Sequence, residues 1–259
     1  MNSVSEINRK KQNLFILLTG IVLTNAVIAE IVGVKIFSVE ALLGLNPAQI
    51  PMFGGAKFDI NLAAGVLVWP IVFITSDIIN EYFGKPGVKK ITYLTASFIA
   101  YSFLILFLAT QLPAAKFWID VNKNGNNFDI NSAFSNIFKQ GLGIIIGSIV
   151  AFMAGQLLDV YIFQKLKKAT GNKMIWLRAT GSTIISQMVD SFVVVFIAFY
   201  VFGNWSMLQV INVALVGYFY KTFMAFSLTP VLYVIHNMID NYLGKENAAQ
   251  LSHEALMAA

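Results

Sequence analysis

Thr180, Thr183, Gln187 and Asp190 recur at spacings of 3, 4 and 3 in one apolar stretch, so they share one face of a helix whose opposite side is Ile, Val and Phe. An earlier stretch repeats the device with Gln156 and Asp159, which are also three apart. A carboxylate accepts two parallel N–H bonds, and a glutamine amide both donates and accepts. Two such pairs on neighbouring antiparallel helices therefore suit the edge of an amidine or a guanine-like heterocycle better than a sugar or a metal ion. The same residue types can also form a proton relay.

The elements that carry these residues are set by composition. The chain has 259 residues, of which 57% are hydrophobic and only 12% charged, with a mean hydropathy of +0.70. A soluble domain of this size needs more charge on its surface, so the surplus apolar residues must face lipid. Apolar windows fall at 14–34, 61–83, 91–112, 141–164, 176–202 and 207–239, each near the roughly 20 residues that cross about 30 Å of hydrocarbon. The fold expected is an all-α integral membrane protein, a bundle of six transmembrane helices at 14–243 between short tails at 1–13 and 244–259. Arg9, Lys10 and Lys11 ahead of the first window resemble the start of a signal peptide. That window is long and further spans follow, which makes it an uncleaved first helix. The last window is over-long, and Pro230 in it predicts a kink or an inner extension.

Orientation follows from where the cations fall. With the N-terminus inside, the cytoplasmic segments hold twelve Lys and Arg residues, including Lys85, Lys89, Lys90, Lys165, Lys167, Lys168, Lys173 and Arg178. The external side holds five, namely Lys35, Lys57, Lys116, Lys123 and Lys139. Both termini are expected in the cytoplasm. Such clusters between apolar runs are a topology signal, which removes nucleic acid as the meaning of the net charge of +5. With no cysteine present, disulfides, thiolate metal sites and a Cys nucleophile are excluded. The polar run 122–127 lacks the Asp-rich spacing and closing Glu of a calcium loop and is read as part of an external turn, 113–137.

Within the windows stand ionisable groups that each cost about 2.5–3.5 kcal/mol to insert. They are Glu30, Asp77, Glu81, Asp159, Asp190 and Lys221. Lys221 and Asp190 lie at similar depth and are expected to pair; Arg178 is placed to pair with Asp159, Asp77 or Glu81. Gly143, Gly147, Ala151 and Gly155 form a small-residue stripe that lets another helix approach closely, the fifth span being the expected partner. The segments Ile79–Lys85 and Ile239–Lys245 echo one another as Ile-Asn/Asp-Glu/Asn-Tyr-Phe/Leu-Gly-Lys. Both duplication and convergent helix-end chemistry account for the echo.

The stretches Ser76-Asp-Ile-Ile-Asn-Glu-Tyr-Phe-Gly84, Gly155-Gln-Leu-Leu-Asp159 and Trp176-Leu-Arg-Ala-Thr-Gly-Ser-Thr183, continuing to Ser186-Gln-Met-Val-Asp190, resemble signature segments of the queuosine precursor transporter family, also called the vitamin uptake transporter family. The resemblance implies a six-helix importer in the bacterial inner membrane for 7-deazaguanine precursors of queuosine, such as 7-cyano-7-deazaguanine or its aminomethyl relative. Carried over by position, Asp77, Glu81, Gln156, Asp159, Arg178, Gln187 and Asp190 become the substrate-binding candidates. On this reading Asp190 and Asp159 accept N–H groups of the base, Gln187 and Gln156 read its carbonyl or amide edge, and Arg178 with Glu81 gates the inner side. No cofactor or metal is implied. The partners implied are a small heterocycle and the lipid bilayer, with a homo-oligomer or separate energising subunits left open.

The chain has no G-x-x-x-x-G-K-[ST] loop, so it does not itself hydrolyse ATP. It could instead be the substrate-binding membrane subunit of an energy-coupling-factor vitamin importer, with the small-residue stripe docking the partner. A different class, an intramembrane hydrolase, would use Ser182 and His236, although no G-x-S-x-G elbow frames the serine. A purely structural bundle would tolerate Asp190→Asn and Gln187→Ala.

Overall fold

A chain in lipid must satisfy its backbone polar groups internally, and helices do so within one segment. The computed structural model describes residues 2–55, 57–121, 128–139, 142–170 and 174–257. In chain order its helices are α1 (Asn2–Val32), α2 (Val39–Leu42), α3 (Trp69–Gln111), α4 (Lys116–Val121), α5 (Ile130–Phe138), α6 (Leu142–Thr170), α7 (Ile175–Val195), α8 (Met207–Leu243) and α9 (Lys245–Met257). A π-helical segment, Phe196–Val201, prolongs α7. Among the described residues five helices are long and apolar enough to cross a membrane, where six windows were expected.

The difference lies in α3, whose 43 residues carry the second and third windows. At about 1.5 Å per residue it would measure about 65 Å if straight, twice the hydrocarbon thickness. It is not straight. Gly84 takes φ 62° and ψ −165°, outside the helical range, and Pro86 follows. Phe15 in the middle of α1 meets Phe83 with ring centroids 4.9 Å apart, while Ala29 near its end packs on Gly65. Residues 65–83 therefore run antiparallel to α1. Beyond the break, Ile91, Ile99 and Phe103 join the same buried cluster as Leu14, Leu18 and Val22, so both halves of α3 share one core with α1.

The second window starts later than expected, because residues 61–68 form a short strand and a 3-10 turn before Trp69. The loop after α1 is a structured cap. Strand β1 (Ile36–Ser38) pairs antiparallel with β4 (Asn61–Ala63) around the shorter pair β2 (Ile50–Pro51) and β3 (Lys57–Phe58). Glu40 ties it together, accepting from Ile60 N at 2.6 Å, Ser38 Oγ at 2.9 Å and Ala48 N at 3.4 Å. These bonds hold its carboxyl below the usual glutamate range. The cap reaches α8, where Asn212 Nδ2 donates to Phe53 O at 3.1 Å.

The expected external turn is partly helical, with α4 and most of α5 inside it and Asp129 capping α5 through bonds from Asn131 N and Ser132 N. The run 122–127, with Lys123, lies outside the described residues, as does Lys173. Helix α8 continues through Pro230 to Leu243 with no break. Gly244 then ends it at φ 85°, as Gly84 interrupts α3 at positive φ, so the two echoing segments both close on a glycine that admits a conformation other residues avoid. The echoes also touch: Tyr82 OH donates to Asp240 Oδ1 at 2.7 Å. The expected tail 244–259 is mostly helix α9, which buries Ala248, Leu251, Ser252 and Ala255.

Candidate functional site

The small-residue stripe sets the position of the polar residues. A Cβ at Gly143 would overlap Phe202 Cβ, one at Gly147 would come within 3.0 Å of Val194 O, and one at Gly155 within 3.2 Å of Asp190 Cβ. Helices α6 and α7 therefore lie antiparallel at close range, as the stripe predicted. The expectation that the stripe docks an energising subunit is corrected, since α7 already covers it.

That approach brings Gln156 and Asp159 of α6 against Ser186 and Gln187 of α7, with Ser76 and Asp77 of α3 completing the wall. These residues line a cavity of about 210 Å³. A second cavity of about 590 Å³ adjoins it, bounded by Trp69, Phe73, Thr180, Tyr220 and Lys221. Asp77, Phe73 and Thr183 line both.

Inside the smaller cavity, neighbours fix which atoms are left for a ligand. Ser76 Oγ donates to Gln156 Oε1 at 2.7 Å, which turns the Gln156 amide nitrogen into the free end. Ser186 Oγ donates to Asp159 Oδ1 at 3.1 Å, and Ser182 also lies beside this carboxyl, whose remaining lone pairs can accept from a ligand. Gln187 Oε1 is buried with no hydrogen-bond partner among the described residues. The Asp77 carboxyl accepts no hydrogen bond from any described residue. All four side chains are deeply buried, Asp77 at 8%, Asp159 at 7%, Gln156 at 6% and Gln187 at 4% exposure. A buried, unsatisfied polar atom carries a desolvation penalty of about 1–3 kcal/mol, so a ligand that satisfies these atoms is favoured.

Three other predicted residues lie outside both cavities. Asp190 is one turn beyond Gln187 and forms the expected ion pair with Lys221, whose side chain reaches the larger cavity. Glu81 sits one turn from Asp77 towards the Gly84 break, and of Arg178's possible partners it is the one chosen, with Arg178 Nη2 2.8 Å from Glu81 Oε1. The same carboxylate oxygen faces Lys167 Nζ at 3.2 Å and accepts from Ser252 Oγ at 2.7 Å. Lys167 Nζ also donates to Glu81 O at 2.7 Å and to Ser252 O at 3.1 Å. One buried cluster thus ties α3, α6, α7 and α9 together. Glu30, outside both cavities, accepts from Ser148 Oγ.

Lys167, Ser252, Ser76 and Ser186 were not among the binding candidates expected from the sequence. Lys167 stands between Lys165 and Lys168 and reads as part of a topology cluster, yet it is fully buried. The hydrolase pair is not assembled. Ser182 Oγ donates to Ala179 O at 3.1 Å, whereas His236 Nδ1 lies 3.1 Å from Asp240 Oδ2 and its ring 5.3 Å from that of Tyr82.

Comparison with known proteins finds a match over residues 63–252 to a family described as "Putative vitamin uptake transporter". The chain is 25% identical over 189 residues to the "Probable queuosine precursor transporter" of Bacillus subtilis (strain 168), covering 71% of this chain and 76% of that one. It is 27% identical over 202 residues to the protein of the same name from Haemophilus influenzae (strain ATCC 51907 / DSM 11121 / KW20 / Rd), covering 74% and 76%. Against the "Queuosine precursor transporter" of Escherichia coli (strain K12) it is 26% identical over 193 residues, covering 73% and 80%. No solved structure matches.

Proposed function

Because the chain belongs to the vitamin uptake transporter family, we propose that it imports 7-deazaguanine precursors of queuosine across the bacterial inner membrane, binding them in the paired cavities between α3, α6, α7 and α8. One observation carries the reading. The free atoms of the smaller cavity are a donor on Gln156 and acceptors on Asp159 and Gln187. A guanine-like edge offers the complement, a carbonyl oxygen beside two N–H groups. The aromatic walls of the larger cavity give the flat ring system a surface on which to stack.

In this arrangement α3 crosses twice, turning at Gly84, so that six crossings leave both termini in the cytoplasm. The Glu81 cluster then lies at the inner end of the site and Asp190 with Lys221 on its outer side. Alternating access would work these two layers around a fixed midplane site. The test is uptake of labelled 7-cyano-7-deazaguanine and its aminomethyl relative into cells lacking their own synthesis and salvage transport. Uptake restored by the wild-type chain and lost in Asp159→Asn at equal membrane level is expected. Equal uptake by the variant would remove the site.

A further inference from the structure

Two acids of the site have no cation to balance them. The cations of the described membrane interior are taken elsewhere, Lys167 and Arg178 by Glu81 and Lys221 by Asp190. Asp159 has hydroxyl partners in Ser186 and Ser182, and Asp77 accepts nothing from the described residues. A ligand that brings a positive charge to an acid so placed offsets the cost of its burial. Asp77 also lines the junction of the two cavities, on the same face of α3 as Phe73 one turn away and Trp69 two turns away, whose rings stack with centroids 5.7 Å apart at an interplanar angle of 17°. A carboxylate beside aromatic faces in a buried recess is the combination that holds an alkylammonium group, by charge pairing and by attraction to the ring quadrupole.

We infer that Asp77, which lines the larger cavity together with Trp69 and Phe73, makes the site selective for a precursor whose ring bears a primary ammonium over one bearing a neutral substituent. The inference rests on the import reading above and deepens it. The heterocycle edge occupies Gln156, Asp159 and Gln187, and the substituent points across the junction to Asp77. A neutral nitrile in that position supplies no countercharge, whereas an aminomethyl group brings both the positive charge and three N–H bonds.

The experiment is competition uptake with the aminomethyl base and the cyano base against the wild-type chain, followed by Asp77→Asn and Asp77→Glu at matched membrane levels. The wild-type chain should take the aminomethyl base at least about tenfold in preference, corresponding to one ion pair of about 1.4 kcal/mol. Asp77→Asn should slow the aminomethyl base at least about tenfold more than the cyano base, and Asp77→Glu should restore the preference. Preference of the wild type for the cyano base would overturn the inference, a measurement that needs no variant. So would an Asp77→Asn loss that is equal for both bases. Uptake of neither base overturns the import reading instead, and the inference with it.

Discussion

Replacement of Glu81 by glutamine should strike stability before it strikes transport. The carboxylate faces Arg178 at 2.8 Å and Lys167 at 3.2 Å. With an effective dielectric of about 20, each contact represents about 5–6 kcal/mol of attraction before desolvation is subtracted. Removing one partner of a buried pair leaves a net loss of about 3–5 kcal/mol. Here the loss falls at the upper end, because Glu81→Gln leaves two buried cations facing one another. Lys167→Met alone keeps the Glu81–Arg178 pair and loses three contacts of the ammonium, so it should be milder. In the double variant the repulsion disappears, and about 1 kcal/mol or more of the Glu81→Gln loss should return. Unfolding midpoints in detergent for the four proteins give the coupling directly. Hydrogen exchange of α9 supplies a second readout, since Ser252 Oγ is left with a neutral amide oxygen in place of a carboxylate. Strict additivity of the two single losses would refute the account of the cluster as a charge-balanced unit.

Three further outcomes follow from named contacts. Gly143→Ala drives a methyl into Phe202 and should cost about 1–3 kcal/mol in unfolding measurements, while Gly20→Ala, with open space around it, should be neutral or slightly stabilising. Asp190→Asn strands Lys221 and should abolish uptake at normal protein level; Asp190→Lys combined with Lys221→Asp should recover part of it, and no recovery would count against the pair. Because folding lowers the Glu40 pKa, its stabilisation of the β-cap is complete above the unfolded glutamate value of about 4.3 and is lost as pH falls through the lower folded value. Proteolysis of residues 36–63 should therefore accelerate in strong acid, and Glu40→Gln should be susceptible already at neutral pH.

The polar residues of the site were legible because a Gln or Asp in an apolar helix is conspicuous, and spacings of three and four put them on one face. The depth match of Asp190 and Lys221 was legible for the same reason. Serines were not. A buried hydroxyl in a helix can turn to its own backbone, as Thr75 does to Ile71 O at 2.7 Å, and nothing in the sequence distinguishes it from Ser76, which turns to Gln156 instead. The β-cap escaped notice because its strands are two or three residues long, too short for an alternating pattern to register. Helix α9 carried a signal in Ala248, Leu251 and Ala255 at i, i+3 and i+7, but its low hydropathy hid it beside five strongly apolar helices. The joining of two windows in α3 depends on one glycine, and a hydropathy profile does not register a single dihedral.

The fit at Gly84 bears on how the protein is made. A methyl there would lie 2.6 Å from Ala255 O, so α9 fills a slot whose other wall was synthesised some 170 residues earlier. During biogenesis the turn of α3, with Glu81 and its two cations, waits incompletely covered until the ribosome has delivered α8 and then α9. A nascent chain halted before Lys245 would insert every long helix and still lack the piece that covers this polar knot, a ready mark for quality-control proteases.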